Sequence, residues 1–496
     1  MRRIFILLCL SFLAGLAQAD DLKLRIAADA LTEPKTPLEG TVTKSILYET
    51  DGGSFFGGTI YSASLGNAGG LFIGGFEAGQ KFQLGADYFI EAALFFGGGG
   101  GAGIVGGDGT LLRPRLNIGR KIGDYELSVG ASYMHVMGSK ISSPAIEIGI
   151  SRPLGWLIGD GHIEQCTGCT VKAQSPFVMI ESVGAAYKNY IPLTDLAVGK
   201  RSGNTLTTMQ LAGAGLVLNM DHMWGKGWQS YIDAYGAMGG DGEGYAEIII
   251  GGRYGYDMTD WLNIYADAGL GFAGGGDVDT GGGTIVSASV GAKWQIFSAA
   301  KLETSIGYVA ALGGGFHAIM PAVKLSLPLG GSKYIEAANF DATALNPTHW
   351  SVTAGYSIIA EHPNMRYVHD TDTGFLGLTD FKGDLYLNDY IYMTGQALSV
   401  TTGGAGGFAI GLVGAGATLP LSDKIDVSAE ILLGAAAGGA INVQGGLVAV
   451  GQLDVDYKLN ETMSLTSNIG WIKAVKGGLN GLMLGTGVKF HFTSFR

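Results

Sequence analysis

Three carboxylates, Glu91, Asp267 and Glu430, recur at corresponding positions of three similar stretches: LGADYFIEAALFFGGGG from Leu84, MTDWLNIYADAGLGFAGGG from Met258 and LSDKIDVSAEILLGAAAGG from Leu421. The segment after each carries bases: Arg113, Arg115 and Lys121 in the first case, Lys293 in the second and Lys458 in the third. Acids and bases on one face of neighbouring strands support two chemistries. They can line a lumen and set its preference for ions or solutes, as rings of charged side chains do in pores. They can equally satisfy one another inside a crowded interior, because a buried charge needs a partner. The mixed signs argue against strong selectivity for one sign of ion.

Cys166-Thr167-Gly168-Cys169 has the C-x-x-C spacing of a redox motif or half a zinc site, with His162 and Glu164 close by. No strand-helix-strand pattern of a redox domain surrounds it, and no second C-x-x-C occurs, so a local disulfide is the favoured reading. The eight histidines are scattered, and Asp221-His222 and His369-Asp370 are adjacent pairs rather than a spaced constellation. No G-x-S-x-G is present. The glycine-rich runs do not lead from strand to helix, so they do not read as a nucleotide cradle. These observations lead to the expectation of no enzyme activity, no cofactor and no metal.

The elements that would position the charged residues are short strands. In MSLTSNIGW, Met463, Leu465, Ile469 and Trp471 share one parity while Ser464, Thr466, Asn468 and Gly470 take the other. That is the period of two of a strand whose faces meet different media. Tyr125, Leu127, Val129, Ala131 and Tyr133 oppose Glu126, Ser128, Gly130 and Ser132, and Ile146, Ile148 and Ile150 oppose Glu147, Gly149 and Ser151. The carboxylate-bearing segments belong to a threefold repeat. Each is followed by a second strand (from Thr110, Thr284 and Leu447), a third (YELSVGASY, KLETSIGY, MSLTSNIGW) and a fourth (from Ala145, Ile319 and Gly481). Weaker correspondence upstream extends each copy to about eight strands, about 24 in all, within the range of transmembrane barrels.

The links alternate between short polar turns, such as Gly123-Asp124 and Asn460-Glu461, and longer glycine-rich loops, such as 97–109, 274–283 and 434–446. Short turns on one side and long loops on the other are the habit of barrels that cross a bilayer. Six of the seven tryptophans, Trp156, Trp224, Trp228, Trp261, Trp294 and Trp350, fall near strand ends on the short-turn side, where an interfacial ring is both apolar and wet.

The chain opens MRR, continues through IFILLCLSFLAGL and reaches Ala17-Gln18-Ala19 before Asp20, which is a secretory signal peptide with cleavage expected after Ala19. Charged residues make up only 15%, below the ~25% of a soluble domain, and glycine numbers 85. The formal charge of −12 excludes the usual nucleic-acid binder. Two long uncharged stretches, 394–422 and 431–453, are broken by Gly403-Gly404 and Gly445-Gly446 and alternate with period two, so they read as strands rather than membrane helices.

The last strand carries a local match: Gly487-Val488-Lys489-Phe490-His491-Phe492 is similar to the terminal strand signal of Gram-negative outer-membrane β-barrel proteins. Thr493-Ser494-Phe495-Arg496 follow it. Either the signal, with Gly487, Phe490 and Phe492, lies internal by four residues, or the strand shifts phase to use Phe495. The resemblance covers nearly all of the exported sequence and implies contact with outer-membrane lipid and with the barrel-assembly machinery, in the cell outer membrane.

The expected fold is therefore an all-β transmembrane antiparallel barrel: signal peptide 1–19, then 20–496, with repeats at 20–152, 177–328 and 350–496 and links at 153–176 and 329–349. Two closures are open. One is a single barrel of about 22 to 26 strands, pairing 22–29 with 481–492, and the other is three consecutive eight-stranded barrels. The first is favoured, since concatenated barrels are unusual. It would make a passive channel for small hydrophilic solutes. The second would make a structural or surface-interaction protein with packed, non-conducting interiors.

Overall fold

The computed structural model describes residues 19–154, 158–159, 170–172, 179–193, 197–297, 300–329, 339–341, 347–367, 374–460 and 462–495, less positions 51, 106 and 201. The expected signal peptide up to 18, Trp156 and the Cys166–Cys169 motif lie outside these residues. Twenty-four antiparallel strands form three closed eight-stranded barrels. Barrel one runs from Ala19–Leu31 to Ser142–Pro153, barrel two from Met179–Pro192 to His317–Pro328, and barrel three from Pro347–Ala360 to Asn480–Phe495. Of the two closures open to the sequence, the structure takes the three small barrels and not the single wide one. Its first strand pairs with the eighth, Ile26 opposite Ile150, and not with 481–492, whose partner is the strand beginning at Pro347.

The alternation seen in sequence sets the faces. Ile146, Ile148 and Ile150 stand exposed on the outside while Glu147 is buried in the lumen. The same holds for Leu465, Ile469 and Trp471 against Ser464 and Thr466. An uncapped sheet edge cannot remain in hydrocarbon, so each set of eight strands must close on itself if it is to cross alone. No helix among the described residues is long and apolar enough to span a membrane.

Both ends of every barrel lie on one side, here called the proximal end, and the glycine-rich loops lie on the distal end. The two links meet proximally: Thr170–Lys172 pairs with Asn339–Asp341 in a two-stranded sheet, and Ile158–Gly159 adds to the last strand at Thr493 and Ser494.

The barrels pack against one another in a ring. The middle strands of barrel one (Phe72–Gln83, Tyr88–Gly100, Thr110–Ile122) face the second and third strands of barrel three (Phe375–Tyr386, Ile391–Thr402). The fifth and sixth strands of barrel three (Ile425–Ala437, Leu447–Lys458) face the second and third of barrel two (Met209–Asn219, Trp228–Gly240). The fifth strand of barrel two (Leu262–Gly274) closes the ring on the third of barrel one (Ser54–Gly66). The same two faces thus meet at each seam, a head-to-tail arrangement that closes after three members.

Glycine makes these seams possible. Gly407 N–H donates to Gly99 O at 2.9 Å, Gly406 N–H to Gly107 O at 2.7 Å, and Gly69 N–H to Gly281 O at 2.9 Å. Gly274 has φ +150°, and a Cβ there would lie 2.3 Å from the nitrogen of Gly70 in the neighbouring barrel. Lipid is as apolar as the barrel walls, so association must come from close backbone approach and hydrogen bonds. Side chains add to them at the distal rim. Asp108 accepts from the N–H groups of Gly403 and Gly404, Lys200 donates to Asn67 at 2.7 Å, and Tyr367 donates to Glu243 at 3.2 Å. Burial, and after it the Glu243 carboxylate, raises the Tyr367 phenol above its ordinary value.

The closure makes a direct expectation. With Cys166 and Cys169 replaced by serine, cysteines at Ile26 and Ile150 should crosslink on mild oxidation, because directly opposed residues of an antiparallel pair lie within disulfide reach. Cysteines at Ile26 and Leu484, opposed only in the single wide barrel, should not. Gel mobility under non-reducing conditions reads the result.

Candidate functional site

The site to be judged is the inside of each barrel. In barrel one the inward positions carry an interlocked set of ions. Arg113 donates to Glu147 at 2.9 Å and to Asp29, and its guanidinium lies 4.8 Å from the centre of the Tyr61 ring. Arg25 and Asn117 also hold Glu147, and Arg115 binds Glu77 at 2.6 Å as well as Glu91. Lys81 and Lys23 join Glu49 and Glu126 nearer the proximal end.

Barrel two repeats the logic with other residues. Glu247 accepts from the hydroxyls of Tyr190 at 2.8 Å and Tyr245 at 2.7 Å and pairs with Lys188. Arg253 bridges Glu303 at 2.8 Å and Asp267 at 3.2 Å, and Lys324 meets Asp233 at 2.9 Å. Between these groups lies a cavity of about 50 Å³ lined by Tyr231, Tyr265, Arg253, Asp233, Ser287 and others. That is room for one or two water molecules. In barrel three Lys382 binds Glu430 at 2.6 Å and Asp454 at 2.9 Å, while Lys489 binds Asp456 at 2.5 Å.

Over each ionic layer sits an apolar plug at the distal end. In barrel one it is built from Leu31, Leu38, Tyr61, Leu71, Phe95 and Met134 with neighbours from the loops. In barrel two Tyr190, Leu206, Met209, Tyr245 and Phe316 do the same. In barrel three Leu376, Leu398, Phe408, Leu432 and Ile441 close the top. Eight strands enclose a space narrow enough for side chains to occupy most of it.

The sequence-derived lumen candidates divide. Glu91, Arg113, Arg115, Lys293 and Glu430 are buried and inward, and Asp267 is inward with only its rim exposed. Only one of the expected neighbour pairs, Glu91 with Arg115, is formed as such. Glu430 is held by Lys382 from across the lumen, and Asp267 by Arg253 and by the Ser289 hydroxyl at 2.6 Å. Lys293 lies 3.9 Å from both Glu181 and Glu303. Lys121 has inward parity but is exposed at the proximal rim, and Lys458 sits there too, paired with Asp426 at 2.9 Å. Gly487 and Phe490 lie on the last strand, where Phe490 points outward onto Phe56 of barrel one at 5.1 Å. Phe492 lies on that strand, its side chain outside the described residues.

Sequence reasoning missed Arg25, Asp29, Glu77, Glu247, Arg253, Glu303, Lys382, Asp454 and Lys489. Their signal was present, a charge at the polar parity of an alternating strand, as Glu147 shows among Ile146, Ile148 and Ile150.

A closed antiparallel sheet with an apolar outer face and a charged, largely paired interior is the architecture of a transmembrane β-barrel. Within that class, no known family and no curated protein matches the sequence. Solved barrels align at low similarity. OpdQ of Pseudomonas aeruginosa is 10% identical, with 96% of this chain and 98% of that one covered and a TM-score of 0.20. The siderophore receptor PiuA of Acinetobacter baumannii is 11% identical, with 96% and 82% covered and a TM-score of 0.29. Wzi of Escherichia coli, described as a carbohydrate-binding barrel of capsule assembly, is 10% identical, with 98% and 87% covered and a TM-score of 0.25.

Proposed function

We propose that the chain is a non-conducting outer-membrane protein, three packed barrels held as one ring, whose role is structural or one of surface interaction. The observation that carries this reading is the filling of every lumen, an apolar plug over charges that bind one another. A hydrated solute would have to displace the plug and break buried ion pairs, and removing one partner of such a pair costs about 3–5 kcal/mol. Closure into three eight-stranded units also leaves no wide central lumen of the kind a 24-stranded barrel would enclose.

A second reading is a narrow path for small polar solutes through barrel two, favoured by the cavity between Arg253, Lys188 and Asp233. This is the small-solute channel in its most restricted form. Single-channel recording of the purified, reconstituted chain separates the two. A bilayer that stays silent under applied voltage supports the packed reading. Discrete conductance steps that change when Arg253 is replaced by glutamine support the second and overturn the first.

A further inference from the structure

Each seam joins a leading face, on the fourth to sixth strands of one barrel, to a trailing face, on the second and third strands of the next. Equivalent positions follow from the repeat and the register. On the leading face Phe96, Phe272 and Ala435 stand five residues after Glu91, Asp267 and Glu430, on the outward parity of the fifth strand. Two residues further on, Gly98, Gly274 and Ala437 connect across three successive strand pairings to Lys44, Ala212 and Thr379 on the second strand.

Lys44 is the outlier. It has outward parity and lies six residues from either end of Leu38–Thr50. Among the described residues every other Asp, Glu, Lys or Arg at an outward strand position, such as Arg120, Arg152 and Lys473, is within two residues of a strand end. No ion pair among the described residues includes Lys44. Its ammonium donates to Ser62 Oγ at 2.8 Å and lies 3.9 Å from the centre of the Phe272 phenyl group in barrel two. Ser62 is 1% exposed and Phe272 9%, so both are covered in the seam. The hydroxyl belongs to barrel one and stays with Lys44 whichever barrel docks. The phenyl group comes with the partner.

We propose that Lys44 selects barrel two as the neighbour of barrel one and thereby fixes the order of the barrels round the ring. In the opposite order the trailing face of barrel one would take the leading face of barrel three, and Lys44 would meet Ala435, a methyl group. A cation at mid-span is costly in hydrocarbon, and an aromatic face is a neutral surface whose charge distribution suits it. Ala435 fits the seam it occupies, since it lies against Gly236, which pairs with Ala212. A Cβ at Gly236 would be 2.7 Å from that of Ala435. The selection rests on the ring of barrels and is independent of whether any lumen conducts.

The test is the rate at which a thiol in this seam is labelled, in the full chain with Cys166 and Cys169 replaced by serine. Thr280→Cys is the probe: Thr280 is 1% exposed, and its hydroxyl oxygen would lie 2.5 Å from a Cβ at Gly69 of barrel one. A water-soluble maleimide reaches it when the seam opens, so the rate follows the open population. Phe272→Ala gives barrel two the residue that barrel three carries at this place. With Lys44 present, Phe272→Ala should accelerate labelling about tenfold more than it does in a Lys44→Leu background, because only the ammonium needs the phenyl face. The ratio of the two accelerations is the discrimination that the lysine provides. Resistance to denaturing detergent until boiled confirms that each variant is folded. Equal acceleration in the two backgrounds overturns the proposal, since packing alone would produce it.

Discussion

Replacing Arg113 by alanine should destabilise the protein by about 3–5 kcal/mol, read as a lower urea midpoint for loss of the heat-modifiable gel form. Arg113 is fully buried and holds Asp29 and Glu147 at once, so its removal leaves two carboxylates in a low-dielectric space with less to neutralise them. The Ser132 hydroxyl, 2.8 Å from the guanidinium, and the face of Tyr61 lose their partner as well. The loss is due mainly to the carboxylate left with no other cation, so neutralising Asp29 should reverse most of it, while Glu147 keeps Arg25 and Asn117. Arg113→Met combined with Asp29→Asn should therefore come within about 1–2 kcal/mol of the parent, since neutral substitution of a buried ion pair is often tolerated. A double variant as unstable as Arg113→Ala would show that packing, not charge, sets the effect.

Gly98→Leu should part barrel one from barrel three while leaving both barrels closed. A Cβ at Gly98 would lie 1.8 Å from the carbonyl oxygen of Val400 and 2.6 Å from its carbonyl carbon, both backbone atoms of the facing barrel. No rotamer relieves a clash with backbone, so the seam must open by a side chain's thickness. Gly98 pairs with Thr110 and Gly74 within its own barrel through main-chain groups that the substitution leaves in place. The measurement is crosslinking across the seam. Cysteines at Phe76 and Phe381, whose rings lie 6.2 Å apart, should be joined by a short bismaleimide in the parent and fall several-fold in yield with Gly98→Leu. Unchanged yield would mean that the seam tolerates the side chain and is not set by backbone contact there.

The strands and their faces were legible because each depends on a local pattern. Period-two alternation at Tyr125–Tyr133 or Ile146–Ile150 fixes which side chains meet lipid, whatever closes the sheet. The closure was not legible from that pattern, because alternation is identical whether the first strand meets the eighth or the twenty-fourth. The long links at 153–176 and 329–349 pointed to three units, and the habit of natural barrels pointed the other way. The partners of the lumen charges were lost for a related reason. A rule that pairs each acid with a base on the next strand suits a wide barrel, where side chains reach only their neighbours. In a lumen of eight strands they meet across the interior, so Glu430 finds Lys382 on a strand that is not its neighbour, and Arg113 finds Asp29.

The ring of three has a topological consequence. With three members each barrel touches both of the others, so the polypeptide can visit them in any order without a link crossing over a barrel. The copies are equivalent beads on a circle, and the place where translation starts is a property of the gene rather than of the assembled shape. Tandem duplication of one ancestral unit would then preserve the geometry of a homotrimer while removing its dependence on concentration.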